Sequence, residues 1–252
     1  MINTYDIFNL LPRNRKKICI SIPIVDDLAK ENNELESPLR DIEKAIQKGA
    51  EMIECRFDFI NDFTRIEHYL ELLSKYKDQS VYTLRPENEG GKFSNDHAQR
   101  ISFLQKLIDA KPLFVDIEYE LVSNSDELAD IIDNSNTRIL VSWHDFAGTP
   151  SQDELITLVN KMRVYSPYLK IVTTAKSVDD SINILSLYQS VDTHVNLVAF
   201  AMGDAGVISR VLSTVTGDAP FTYASLEKAI APGQLTIEQM KTFEKLFEVK
   251  LI

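Results

Sequence analysis

Short runs of apolar and β-branched residues alternate with stretches of helical periodicity about eight times along this chain. The runs 17–25, 52–57, 81–84, 113–118, 138–143, 169–174, 195–201 and 221–224 predict strands. Most hold apolar residues at consecutive positions, as strands covered on both faces of a parallel sheet do. The helical stretches between them have readable starts. Ser37-Pro38 offers a capping hydroxyl and a first-turn proline ahead of Leu39, Ile42 and Ile46. Ser151-Gln152-Asp153-Glu154 has capping-box spacing, followed by Leu155, Leu158, Val159 and Met162 at i, i+3, i+4 and i+7. Thr236-Ile237-Glu238-Gln239 repeats the device before Met240, Phe243 and Phe247.

Eight strand–helix units in 252 residues predict one α/β domain, a (β/α)8 TIM barrel over 1–252. A doubly wound open sheet is the alternative. It wants a glycine-rich phosphate turn after the first strand, where this chain reads Pro23-Ile24-Val25-Asp26. Nothing inside the chain resembles a linker. Residues 1–16 read as an N-terminal extension or hairpin that could cover one barrel mouth.

Composition narrows the function. With 44% hydrophobic and 26% charged residues the chain matches soluble globular proteins. Its net charge of −11 opposes nucleic-acid binding, which needs a positive footprint. No apolar run approaches the roughly 18–20 residues of a membrane helix, and residues 1–17 lack the apolar core and cleavage site of a secretory signal. The expectation is therefore a cytoplasmic protein with no nucleic-acid or membrane partner. Cys19 and Cys55 sit in strand-like apolar runs without Cys or His at ligand spacing, so reduced core thiols are expected and no metal site.

In a barrel the C-terminal strand ends and the loops after them build the site. The polar residues there are Ser21, Glu54, Arg56, Asp58, Arg85, Glu89, Asp116, Glu118, His144, Asp145, Lys170, Arg210 and Gln234. Period-2 spacing would put Glu54, Arg56 and Asp58 on one face of the second strand, and Asp116 with Glu118 repeats the pattern on the fourth. Lys170 stands between Leu169 and Ile171, as a solvated strand-edge lysine or a desolvated amine. An amine nucleophile must be neutral, which burial or flanking cations promote; converging Arg56, Arg85 and Arg210 would supply the cations. Of four histidines, only His144 sits at a strand end followed by a loop, Ala147-Gly148-Thr149-Pro150. It is either a structural residue or a proton carrier suited to neutral pH.

Taken in order, several pieces resemble the type I 3-dehydroquinate dehydratase family. They are Glu54-Cys55-Arg56-Phe57-Asp58, Thr83-Leu84-Arg85 with Glu89-Gly90-Gly91, and Asp116-Ile117-Glu118. Ser142-Trp143-His144-Asp145-Phe146 with Thr149-Pro150, and Lys170-Ile171, follow. Ala201-Met202-Gly203, Gly206-Val207-Ile208-Ser209-Arg210 and Ala231-Pro232-Gly233-Gln234 complete the set. The resemblance implies a barrel that dehydrates 3-dehydroquinate without metal or organic cofactor, and a homodimer. By position it implies Lys170 as Schiff-base lysine, His144 as general acid–base and Glu89 as the carboxylate orienting it. Arg210 would receive the substrate carboxylate. Ser21, Glu54, Arg56, Arg85 and Gln234 would line the binding shell, with Phe146 and Met202 as apolar walls. The chain departs from the pattern at Ile230, at Phe200 and at the stiff Pro86-Glu87-Asn88 approach to Glu89. Two other readings stand beside this one: another Schiff-base lyase of the class I aldolase type, and a non-catalytic metabolite-binding barrel.

Overall fold

The computed structural model describes residues 17–26, 35–94, 96–215, 219–227 and 233–247. The expected arm at 1–16 and the departure at Ile230 lie outside the described residues. Eight parallel strands form the sheet: β1 Lys17–Pro23, β2 Met52–Arg56, β3 Ser80–Thr83, β4 Phe114–Glu118, β5 Ile139–His144, β6 Tyr168–Thr174, β7 Asn196–Met202 and β8 Phe221–Ala224. Their order is β7-β6-β5-β4-β3-β2-β1-β8, so sequence neighbours pair throughout and β8 returns to β1. This is a nearly closed (β/α)8 barrel, as expected. The strand limits shift by one or two residues from the sequence reading, except at β8, which keeps the expected bounds. One shift matters: His144 is the last residue of β5 rather than the first beyond it.

The connecting helices are α1 Glu36–Gln47, α2 Ile66–Leu73, α3 His97–Asp109, α4 Tyr119–Ser123, α5 Asp126–Asp133, α6 Gln152–Met162, α7 Val178–Ser190, α8 Val207–Val215 and α9 Ile237–Phe247. The capping boxes at α6 and α9 form: Ser151 N–H donates to Glu154 Oε2 at 2.9 Å, and Thr236 N–H to Gln239 Oε1 at 2.8 Å. The expected Ser37 cap does not. Helix α1 already begins at Glu36 after Leu35, leaving Ser37 and Pro38 inside its first turn with no side-chain cap. Among the described residues no helix is long and apolar enough to cross a membrane.

The two-residue strand period divides the apolar side chains into two cores. Ile20, Ile53, Ile117, Val141, Leu169 and Ile171 face outward and pack under the helices with Ile42, Leu104, Leu155 and Ile184. Cys19, Met52, Val81, Phe114, Leu140, Val198 and Phe221 face inward and fill the barrel. Both cysteines are buried free thiols, Cys19 inside the barrel and Cys55 outside it. The inward plug makes a dry floor for whatever the next interior residues do. Phe114 is central to it, with ring centroids of Tyr168 at 5.1 Å and Phe221 at 6.4 Å. Phe114→Ala is expected to cost about 3–5 kcal/mol by cavity formation, read as a lower urea midpoint at unchanged slope.

Candidate active site

One residue pair above the apolar floor, the interior turns polar. Successive inward positions are Ser21 on β1, Glu54 and Arg56 on β2, Thr83 on β3, Asp116 and Glu118 on β4, Ser142 and His144 on β5, and Lys170 on β6. The register sets Ser21 beside Glu54, Thr83 beside Asp116, Glu118 beside Ser142 and Ser142 beside Lys170. Lys170 is thus the third residue of its strand, only 5% exposed, and not a strand-edge lysine. His144 pairs with Val172, so it lies on the adjacent strand one interior layer nearer the strand C-termini.

A single hydrogen-bonded network joins these side chains, Arg56 apart. Asp116 accepts from Lys170 Nζ at 3.0 Å through Oδ2, and from Arg85 Nη2 and Ser142 Oγ at 2.6 Å each through Oδ1. Glu54 accepts from Ser21, from Thr83 at 3.1 Å and from Lys170 at 3.5 Å. Arg85 reaches two further carboxylates with Nη1, Glu118 at 2.7 Å and Glu89 at 3.3 Å. Glu118 also pairs with Arg100 of α3. Glu89 Oε2 then lies 2.9 Å from His144 Nδ1. In the tautomer that carries its proton on Nδ1, the ring donates to this oxygen, which Arg85 Nη1 also approaches. That tautomer leaves His144 Nε2 as the free base.

The surroundings of Lys170 reverse the sequence expectation. Its ion-pair partners are the carboxylates of Asp116 and Glu54, while Arg85 stands beyond Asp116 and Arg56 is held by Asp58. The cations act on the histidine instead. Burial, then Arg85 and Lys170, hold His144 well below its ordinary range. Burial pushes Glu89 up to about 8, against the pull of Arg85. Burial also works on Asp116, but Arg85 and Lys170 outweigh it and keep this carboxyl below the usual carboxylate range.

Several placements depend on local turns. Asp58 is not on β2, as the period-2 reading had it; it sits in a 3-10 turn, Phe57–Phe59, just past the strand. From there it grips Arg56 with two 2.8 Å bonds and accepts Lys92 N–H at 3.1 Å. Pro86 opens a second such turn, Glu87–Glu89, and its carbonyl accepts from Glu89 and Gly91. The stiff approach to Glu89 therefore positions that carboxylate. Gly90 closes the turn at φ 75°, and a Cβ there would come within 2.8 Å of the Phe146 ring. Phe146 in turn stacks near His144, centroids 6.4 Å apart at 17°, and is 50% exposed at the mouth.

Toward β7 and β8 the site changes character. Met202 and Phe200 face inward from β7 and are buried. Arg210, on α8, is 2% exposed, and its guanidinium makes no ion pair or hydrogen bond among the described residues. Burial alone pushes its pKa down to about 10. A buried, unneutralised guanidinium calls for an anion. Gln234 lies half-buried in the loop before α9, next to Gly233, which packs onto the Gly203 carbonyl.

Sequence reasoning did not assign site roles to Asp116, Glu118, Ser142, Thr83, Arg100 or Tyr223. The Asp116–Glu118 spacing signalled the first two. Tyr223, over whose ring Lys170 Nζ lies at 4.4 Å, reads in sequence as an ordinary core aromatic.

The chain compares closely with known proteins. A family model described as Type I 3-dehydroquinase matches residues 31–250. The 3-dehydroquinate dehydratase of Pyrococcus abyssi is 35% identical over 206 residues, covering 81% of this chain and 91% of that protein. That of Methanococcus maripaludis is 33% identical over 236 residues, covering 91% of this chain and 100% of its own. The crystal structure of 3-dehydroquinate dehydratase from Geobacillus kaustophilus shares the fold, with a TM-score of 0.81 at 23% identity over 94% of this chain and 93% of that one. On the family model and these relatives, the chain belongs to the type I 3-dehydroquinase family.

Proposed function

We propose that this chain is a hydro-lyase that dehydrates 3-dehydroquinate to 3-dehydroshikimate, in the shikimate pathway to chorismate and the aromatic amino acids, through a Schiff base on Lys170. The observation that carries the reading is a buried lysine amine inside the barrel, with a base-ready histidine one layer above it on the next strand.

Lys170 first passes a proton to His144; its neutral Nζ then adds to the substrate ketone, and the carbinolamine hydroxyl takes that proton back from His144 and leaves as water, giving a cationic imine. The ammonium and the iminium place their positive charge at the same point, between Asp116 and Glu54. These carboxylates therefore stabilise the intermediate without having to move. The iminium acidifies the neighbouring C–H, and His144 Nε2 takes that proton to give an enamine. The enamine electrons then expel the β-hydroxyl, which leaves as water with the proton held by His144. A water molecule hydrolyses the conjugated imine, releasing the enone and restoring Lys170. One molecule of water is lost overall.

Glu89 supports this cycle from the far side of the ring, where its contact with Nδ1 orients the imidazole. Arg210 receives the substrate carboxylate and so fixes the ring over the lysine. Ser21, Glu54, Arg56, Arg85 and Gln234 form the polar shell, and Phe146 and Met202 the apolar walls. The same family resemblance supports a cytoplasmic homodimer as the working form.

Incubation of the purified chain with 3-dehydroquinate should raise the ultraviolet absorbance of the conjugated enone; a flat trace with folded protein overturns the reading. Lys170→Met should abolish the rise, since no imine can form. His144→Ala should lower kcat by about 10²–10⁴, the usual contribution of a placed acid–base. The base must be unprotonated to act, and His144 is held well below the ordinary histidine value. The acid limb of kcat/KM should thus fall below pH ~6.5, with activity lost as pH drops through it. A limb centred above that value would count against His144 as the base.

A further inference from the structure

Arginines in this barrel are held in two different ways. Arg85 meets three carboxylates, Arg56 is clamped by Asp58, and Arg100 pairs with Glu118. Arg210 has none of these. Its guanidinium carbon instead lies 4.2 Å from the centroid of the Phe200 ring, and its Nε is buried without a hydrogen-bond partner. Phe200 itself is 3% exposed.

The backbone locks the two residues together. Ala201 N–H donates to Ser209 Oγ at 2.8 Å, and Ser209 Oγ donates to the Gly206 carbonyl at 2.6 Å, tying the start of α8 to β7 beside the Phe200–Arg210 contact. A Cβ on Gly206 would stand 2.4 Å from the Ala201 carbonyl, so only glycine permits this approach. The Arg210 carbonyl accepts from Thr222 Oγ1 of β8 at 3.1 Å. Phe200 also contacts Tyr223, centroids 6.2 Å apart, across the β7–β8 seam.

We propose that Phe200 is a positioning residue for Arg210: its ring face holds the guanidinium in place by a cation–π contact while leaving the N–H donors unspent for the substrate carboxylate. This rests on the assignment of Arg210 made under the proposed function. A carboxylate partner would fix Arg210 equally well, but it would occupy the donors and compete with the substrate. An aromatic face attracts the cation through its quadrupole and accepts none of its in-plane hydrogen bonds. The ring therefore makes an anion subsite that is desolvated and aligned before substrate arrives, which lowers the ordering cost of binding.

The test is to replace Phe200 by 4-fluoro-, 3,5-difluoro- and 3,4,5-trifluorophenylalanine, which drain the face of negative potential with little change of shape. KM for 3-dehydroquinate should climb with each added fluorine, to about tenfold for the trifluoro ring, at nearly constant kcat, the pattern of lost uniform binding. A flat KM across the series overturns the proposal. So does a rise in KM for Phe200→Leu with no fluorine dependence, because the ring would then only fill space. If the unfluorinated protein forms no enone, the dehydratase reading fails and this inference falls with it.

Discussion

The contact on which the site depends is Asp116 held between two buried cations, Arg85 and Lys170. None of the three could sit inside the barrel alone, because an unpaired charge there would cost several kcal/mol. Together they are tolerated, and they orient one another. Through Asp116 the network fixes the lysine amine; through Arg85 and Glu89 it fixes the histidine ring. The proposed nucleophile, Lys170, and the proposed base, His144, thus hang from opposite ends of one ion-paired chain. Its charged members come from β2, β4, β5 and β6, the loop after β3 and helix α3, so closing the barrel assembles it.

The network also divides the labour between two kinds of cation. Lys170 is flanked by the carboxylates of Asp116 and Glu54, which would stabilise the positive charge of the proposed iminium. Arg210 is given a ring face and, among the described residues, no carboxylate, which suits the proposed role of receiving the substrate carboxylate. The two rings involved, Tyr223 beneath Lys170 and Phe200 beneath Arg210, touch each other across the strands that the ladder leaves unpaired among the described residues. Packing that looks like filler along the seam thereby carries both charges of the site.

Much of this was legible in the sequence. Strands buried on both faces announce themselves as short apolar runs, and their limits came within one or two residues. The order of the motifs identified the family, and the period-2 pairs on β2 and β4 pointed inward as read, except Asp58, which a 3-10 turn carries past the strand. The electrostatics were less legible. Three arginines were expected around Lys170, but which strand neighbour meets which is decided by register, and register placed Asp116 there. Likewise a serine before a proline reads as a cap, while the structure starts α1 earlier. Cross-strand partners and cation–π contacts leave no trace in local spacing.

The central claim is that the reaction passes through a covalent imine on the lysine that Asp116 holds. It is tested most directly by adding borohydride to the protein during turnover of 3-dehydroquinate, digesting it and mapping the reduced adduct by peptide mass. The account predicts one adduct, substrate-dependent and confined to Lys170. An adduct on Lys161 or Lys176, or steady turnover with no trapped adduct at all, would contradict it.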